Sequence, residues 1–496
     1  MGRVERVVIL GGGTAGWMVA AALSATFGRT IAITVLESEA IGTVGVGEAT
    51  IPTIHWFNEL IGLDEAEFVR ATKASFKLGI EFVDWARPGH RYFHPFGRYG
   101  VDLGAVPFHQ RWLRARADGA DRPLSSYSLA THLAAAGRFA RPNGDARSIL
   151  STLGYAYHFD AGLYARHLRG LAEANGVTRI EGMLDRVERD PESGFVAALT
   201  TARGERLAGD LFVDCSGFRA LLIGETMASP FEEWSQWLPC DRAVAVPCAR
   251  VAETTPFTRS TLRAAGWQWR IPLQHRTGNG YVYASAFVSD DEAAATLLGN
   301  LDGEALAEPR LLRFQAGFRR ESWRGNVVAI GLSAGFLEPL ESTSIHLIQS
   351  GIAKLITLFP ERDCDPALAR QYNGLLGRDM DGIRNFLILH YHATEGHDAP
   401  LWRHTRGMTL PDTLIDKEEH YRRAGRLLLA PDELFREASW LAVLNGQGIT
   451  ARHHAPLADT LDATANRRQL DQIEQVVTRA VPTLPWHDDA IRTLIG

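Results

Sequence analysis

The chain has 496 residues, 22% of them charged, and a formal net charge of −6. With no block of basic residues, that balance argues against nucleic acid or an anionic membrane as partner. The length can bury a large core and hold more than one lobe. Four scattered cysteines (Cys215, Cys240, Cys248 and Cys364) show no CxxC spacing, which fits buried thiols in a reducing cytoplasm.

Residues 7–27, VVILGGGTAGWMVAAALSATF, follow Arg3 and Arg6 and imitate a secretory leader. The apolar run Val7–Leu10 is too short for one, and glycines interrupt it at once. A buried strand, a glycine turn and a helix from Thr14 to about Thr26 account for the same letters, so neither leader nor membrane span is expected. Gly11, Gly13 and Gly16 in that turn give the spacing GxGxxG. Glycines there permit a tight turn and close approach of a pyrophosphate, whose charge a helix N-terminus stabilises. The next strand, IAITVLE, ends at Glu37, about 20 residues beyond Gly16, where an acid can accept hydrogen bonds from ribose hydroxyls.

In SFKLGIEFVDW, Phe76, Leu78, Ile80 and Phe82 share one side of a strand and Lys77 takes the other. A strand lysine ordinarily faces water; turned into a dry tunnel, it becomes a hydrogen-bond donor with a shiftable pKa. RYFHPFG places His94 and Phe96 in an aromatic loop, suited to a substrate wall or a packed corner. Asp160 reads as the N-cap of a helix from Gly162 to Asn175, and a hairpin-like run follows through Val187 and Phe195 to Thr201. DLFVDCSGFRALLIG then gives a buried strand reaching Asp214 and a small-residue turn at Ser216 and Gly217.

In GWQWRIP, Trp267 and Trp269 fall on one side of a strand and form a wall. NVVAIGLSAGFLEPLESTS repeats the earlier plan: strand, Gly331, small-residue loop, then a helix from about Thr343 in which Ile345, Ile348, Ile352 and Leu355 recur at helical spacing. Widely spaced returns of strand to glycine are the layout of FAD-binding monooxygenase-like α/β folds. The expected fold is therefore a Rossmann-type βαβ unit with a mixed sheet and a mainly helical C-terminal subdomain. Ser342 or Thr343 is a natural N-cap, and free amides at Thr343 and Ser344 would make an anion site large enough for a halide. Glu341 beside it is a solvated acid, or acts on a different partner. His390 and His392 lack a third ligand nearby; packing or a helix end explains them, and no metal is expected.

GGGTAGW, VGVGEATIP, FKLGIEFVDW, DCSGFRALLIG, GWQWRIP and FLEPLEST occur in the order found in flavin-dependent tryptophan halogenases, and the chain resembles that family over residues 5–450. GxGxxG is shared with many flavoenzymes, whereas WxWxIP is characteristic of the halogenases. The resemblance implies FAD contacts at Gly11, Gly13, Thr14, Ala15, Gly16, Glu37, Ala49, Leu332 and Ile345. It implies a halide site at Thr343 and Ser344, where the family usually has glycine at the second position. Lys77 matches the essential lysine, Glu341 the catalytic glutamate, and His94 and Phe96 the positions that sandwich the substrate ring. Trp267 and Trp269 match the wall that keeps organic substrate away from the flavin.

The same resemblance implies that FADH2, O2 and halide (bromide or chloride) yield hypohalous acid, which Lys77 and Glu341 direct onto an aromatic ring. Reduced flavin would come from a separate NAD(P)H reductase, and a homodimer is compatible. Residues 1–364 are expected to form the FAD-binding and halide-activating module. Its flavin lobe comes from 1–110, 150–230 and 320–360, with an inserted sheet at 231–319; residues 365–496 form the helical substrate side. GIRNFLILHYHAT and FREASWLAVLNGQG contain no counterpart of the clamp that holds free tryptophan, so indole or a larger indole derivative is expected, with bromide favoured. Alternatives are a tryptophan halogenase proper, a flavin monooxygenase hydroxylating an aromatic, and a non-catalytic flavin-binding protein.

Overall fold

Val7–Leu10 is apolar on both sides of its pleat, which suits a parallel sheet covered on both faces. The computed structural model describes residues 2–41, 47–250 and 252–496. They form two compact units: one from residues 1–74, 159–235 and 313–381, the other from 75–158, 236–312 and 382–496.

The first unit holds a six-stranded sheet in the order Trp323–Arg324, Val327–Ala329, Leu211–Asp214, Arg6–Leu10, Ala32–Glu37, Thr178–Glu181. All neighbours are parallel except the Trp323–Arg324 edge. The helix Thr14–Phe27 is buried continuously from Gly16 to Ser24, as its unbroken apolar character requires. Helices Ala161–Ala174 and Ser344–Thr357 pack against it. Asp160 caps the former, accepting the Leu163 N–H at 3.0 Å as the sequence predicts. The hairpin Leu184–Arg189 and Val196–Thr201 is antiparallel and gains a third strand, Arg206–Ala208.

The second unit is built on a seven-stranded sheet in the order Arg310–Arg313, Arg242–Cys248, Thr277–Tyr283, Gly266–Pro272, Thr258–Arg263, Gly79–Val83, Arg91–Pro95. Thr258–Arg263 runs parallel to Gly79–Val83, and this pairing draws residues 75–110 into the second unit rather than the flavin lobe expected from sequence. The inserted sheet and the helical segment share that unit. From residue 366 onward the described chain is helical or irregular, with no strand. Helix Asp290–Leu298, closed by a Ser289–Glu292 capping box, covers one face of the sheet over Val244, Val246, Tyr281 and Tyr283.

RYFHPFG departs from the aromatic loop expected of it. Arg91–Pro95 is an edge strand rather than a loop, with His94 opposite Ile80 and Tyr92 opposite Phe82. The turn before it is fixed by Gly89, at φ +78°, whose N–H donates to the Asp84 carboxylate at 2.7 Å. A tight turn and β-favouring aromatics win over the proline at the strand's end.

Trp267 and Trp269 share one side of their strand with ring centroids 6.1 Å apart, both buried. Trp269 stands opposite Gly280 and lies across it: a Cβ at Gly280 would fall 2.0 Å from the indole. Replacing Gly280 with valine should displace Trp269 and cost about 1–3 kcal/mol by overpacking, read as a lowered thermal midpoint. An unchanged midpoint would show that the indole can move aside freely.

Candidate active site

The glycines of the first turn divide by what they avoid. Gly11, at φ +111°, would put a Cβ 2.2 Å from the Cys215 carbonyl oxygen. At Gly16 a Cβ would fall 1.8 Å from the Gly11 carbonyl. Gly13 is different, with φ −73° and nothing within 4 Å of a built Cβ. Protein packing therefore demands Gly11 and Gly16, whereas Gly13 leaves open space at the helix start. The helix from Thr14 has no side-chain cap and no acid in its first turn, so the amides of Thr14, Ala15 and Gly16 are available to an anion.

Glu37, at the end of the second strand, is held by the protein itself. Its carboxylate accepts the Trp17 indole N–H at 3.2 Å and the Arg179 Nε–H. The two later returns converge on the first. Asp214 accepts the N–H groups of Ser216, Leu222 and Ile223 together with the Ser216 hydroxyl, so its carboxylate serves its own turn. Gly331, at φ +79°, would place a Cβ 2.9 Å from the Ala15 side chain, and Leu332 beside it is 37% exposed. The small-residue turns after Asp214 and after Ile330 also touch each other. Ala49 lies buried in the short strand Gly47–Ala49; Val44–Val46 of its motif lie outside the described residues.

Pro339–Glu341 forms a helical turn that Ser342 ends at φ +60°. Glu341 and Thr343 are both buried, and Ile345 packs in the first turn of the helix Ser344–Thr357. Thr343 occupies the N-cap position, but the expected side-chain cap is absent. Its backbone, at φ −91° and ψ −8°, is already helical rather than extended, which keeps the hydroxyl from folding back onto the first-turn amides. The Thr343 hydroxyl is buried with no hydrogen-bond partner, and the first amides of the helix have no partner within it. A buried, unsatisfied hydroxyl beside open amides suits a small anion. His346, one turn into the same helix, escaped the sequence reading. Its Nδ1 lies 3.0 Å from the Thr53 hydroxyl, and burial pushes its pKa down to about 4.

In the second unit, Lys77 does not face water: it is 0% exposed, with Nζ 5.1 Å from the centroid of the Phe96 ring. Its strand, Ser75–Lys77, pairs with Ala156–Asp160, placing small Ala156 opposite Lys77. Two histidines that the sequence reading missed hold that strand. The Ser75 hydroxyl donates to the Pro272 carbonyl at 2.7 Å, at the end of the tryptophan strand. With that proton committed, Ser75 Oγ accepts from His158 Nδ1 at 3.1 Å, while His158 Nε2 accepts from the Thr258 hydroxyl at 2.9 Å. Burial and the Lys77 charge hold the His158 pKa well below the usual range. On the backbone of the same strand, the Phe76 N–H donates to His487 Nε2 at 3.0 Å, and His487 Nδ1–H donates to the Thr254 carbonyl at 2.7 Å.

His94 and Phe96 are both buried. His94 packs against Phe386 at 5.9 Å, and Phe386 stacks on Phe435 at 4.0 Å. The Trp269 indole N–H is buried with no hydrogen-bond partner. His390 is a packing residue, stacked on Phe82 at 4.8 Å. Glu341 belongs to the first unit and Lys77 to the second. His158 could have been noticed from the alternation of AYHFD, but nothing local marks His487, 411 residues from its partner.

A family model described as tryptophan halogenase matches residues 6–463. The chain belongs to the tryptophan halogenase family. It is a flavin-dependent halogenase, an enzyme that uses FAD and halide, and membership decides against the monooxygenase and non-catalytic alternatives. A flavin-dependent halogenase from Xanthomonas campestris is similar at 48% identity with a TM-score of 0.95, over 99% of this chain and 98% of that one. Another, from Brevundimonas sp. BAL3, is similar at 46% identity with a TM-score of 0.96, over 100% of each chain. The tryptophan 6-halogenase SttH of Streptomyces toxytricini is 36% identical over 97% of this chain and 96% of its own. The residues present fit FAD: the glycine cradle, the open helix start and the anchored Glu37 lie in one unit.

Two outcomes follow from this geometry. Gly13→Ala should leave thermal stability unchanged, since its Cβ meets no protein atom, yet weaken FAD binding at least about tenfold by blocking pyrophosphate approach. Flavin titration with a parallel melt checks this, and unchanged affinity would remove Gly13 from the cofactor site. The second concerns pH. Burial lowers the His487 pKa from 6.5 to about 4, so within that window the unfolded chain binds more protons. Stability is then full above the window and declines as pH falls through it. Urea midpoints of His487→Gln should decline less between pH 6.5 and 4 than those of the parent.

Proposed function

We propose that the protein halogenates an indole-type aromatic, indole or a larger derivative rather than free tryptophan, and prefers bromide to chloride. The single observation that carries the assignment of the lysine is the burial of Lys77 against Phe96. An ammonium removed from water costs several kcal/mol before compensation, roughly what a functional requirement must justify. When bound, reduced FAD supplies, with oxygen, the two-electron oxidation of halide to hypohalous acid.

The protein's own groups do the rest. The Gly11–Gly16 turn binds the pyrophosphate through its amides, Glu37 meets the ribose, and Ala49, Leu332 and Ile345 flank the cofactor. The Thr343 and Ser344 amides hold the halide. Lys77 hydrogen-bonds to the oxygen of hypohalous acid and gives it a proton as the ring attacks the halogen, so the oxygen–halogen bond breaks and the oxygen leaves as water. Glu341 takes the ring proton. His94 and Phe96 sandwich the ring, and Trp267 and Trp269 keep it from the flavin. Residues 365–496 supply the substrate side, and a separate NAD(P)H reductase supplies FADH2.

Flat, π-rich neighbours such as Phe386 and Phe435 around His94 favour an aromatic ring over an amino acid head group. Free tryptophan is the second reading, favoured by the name of SttH and of other relatives at 34–37% identity. For the halide, a pair of backbone donors at a helix start discriminates little by charge. Bromide sheds water more readily and is easier to oxidise, so a site not tightened around chloride reacts faster with bromide.

FAD, a flavin reductase, NADH, and equal bromide and chloride, with indole and tryptophan offered in parallel, should give mainly brominated indole by mass. Mainly chlorinated tryptophan would overturn both preferences. In the same assay, Lys77→Ala should keep FAD binding and flavin reoxidation while product falls at least about a hundredfold. Normal yield from that variant would remove Lys77 from the chemistry.

A further inference from the structure

The geometry points to His487 and the Ser75–His158 pair as positioning residues that hold Lys77 in register for halogen transfer. This inference rests on the role given to Lys77 above. The lysine sits at the end of a strand of three residues, Ser75–Lys77, at the edge of its sheet. A strand that short and unpaired on one side does not fix its own side chains.

The structure supplies what the ladder lacks. The Phe76 N–H, directly before Lys77, donates to His487 Nε2. That nitrogen must carry a lone pair, so Nδ1 bears the proton and gives it to the Thr254 carbonyl. His487 is therefore a neutral acceptor, its tautomer set from both sides. The segment that delivers it is itself anchored. His487 N–H donates to the Gly137 carbonyl at 3.0 Å, Phe139 N–H donates to the Pro485 carbonyl at 3.2 Å, and the Arg138 guanidinium lies 4.2 Å over Trp486. Phe139, in the same ribbon, stacks on Phe76 at 4.0 Å with the planes 3° apart.

From the side-chain direction, Ser75 ties the strand to Pro272, and His158 ties Ser75 to Thr258. Ser75 and Phe76, the two residues before Lys77, are thus both fixed. None of these groups touches the reacting atoms; they act through the lysine. His487 also lies beyond residue 463, where the match to the family model ends.

The test uses full-length His487→Ala, His487→Gln, Ser75→Ala and Lys77→Ala, with bromide and with indole and tryptophan in parallel. Product per FADH2 oxidised is measured together with amide exchange of the peptide spanning residues 75–78. His487→Ala should speed exchange of that peptide and lower product per flavin roughly ten- to a hundredfold, with flavin reoxidation unchanged. His487→Gln offers a carbonyl to the Phe76 N–H and should restore both readouts. Ser75→Ala, which opens no amide, should lower yield in the same direction and serves if His487→Ala fails to fold. An open Phe76 amide with parental yield overturns the inference, as does parental yield from Ser75→Ala, in either case leaving a loss in Lys77→Ala intact. Full yield from Lys77→Ala instead removes the lysine, and the positioning role falls with it.

Discussion

A lysine sealed inside a β-strand is the constraint on which the second unit depends. Lys77 brings a charge into a place that the neighbouring residues, Phe76 and Leu78, mark as core. Near it lie the face of Phe96, a small alanine across the ladder, and histidines whose proton positions are dictated by fixed donors and acceptors. Were His158 an imidazolium, a second cation would stand beside the first in a dry interior. Burial and the Lys77 charge both favour its neutral form.

The first unit solves the opposite electrostatic problem. The anion sites proposed for it are built from backbone amides rather than charged side chains. The helix starts at Thr14 and at Ser344 are left without side-chain caps, as is that of the short helix Ile54–Leu60. An uncapped helix start forgoes about 1 kcal/mol that Asp, Ser or Thr supplies elsewhere, as Asp160 does here. The omission at Thr14 and at Ser344 is consistent with amides reserved for a ligand. Thr343 sharpens the point, because a residue well able to cap is held in a backbone conformation that prevents it.

Much of this was legible in the sequence where a motif is local. GxGxxG, the helix after Asp160 and the paired faces of Trp267 and Trp269 all follow from spacing, because strand and helix periodicity need no distant partner. RYFHPFG misled because His-Pro-Phe-Gly looks like a turn, while its pairing with Gly79–Val83 is set by a hairpin that only the fold reveals. Lys77 could not be placed by pattern: its alternation identifies a face, but not whether that face is wet. Asp214 ends its strand much as Glu37 does, yet the four hydrogen bonds to its carboxylate all close on its own turn. The histidines are the hardest case. His487 acts through one backbone amide across 411 residues, and no periodicity encodes such a contact.

That asymmetry has a physical cause. Groups that meet FAD must present amides at fixed spacing, and fixed spacing writes itself into adjacent letters. A group that steadies Lys77 needs only one acceptor at one point in space, and any segment that reaches the point can supply it. The Ser75–Lys77 strand is held by residues from four stretches, at 158, 254–258, 272 and 487, none adjacent to another in sequence except through the fold. Tryptophan and lysine share this frame, since Pro272 closes the strand of Trp267 and Trp269 and its carbonyl accepts the Ser75 hydroxyl. The strand of the two tryptophans and the strand of the lysine are therefore joined directly by one side-chain hydrogen bond, from the Ser75 hydroxyl to the Pro272 carbonyl.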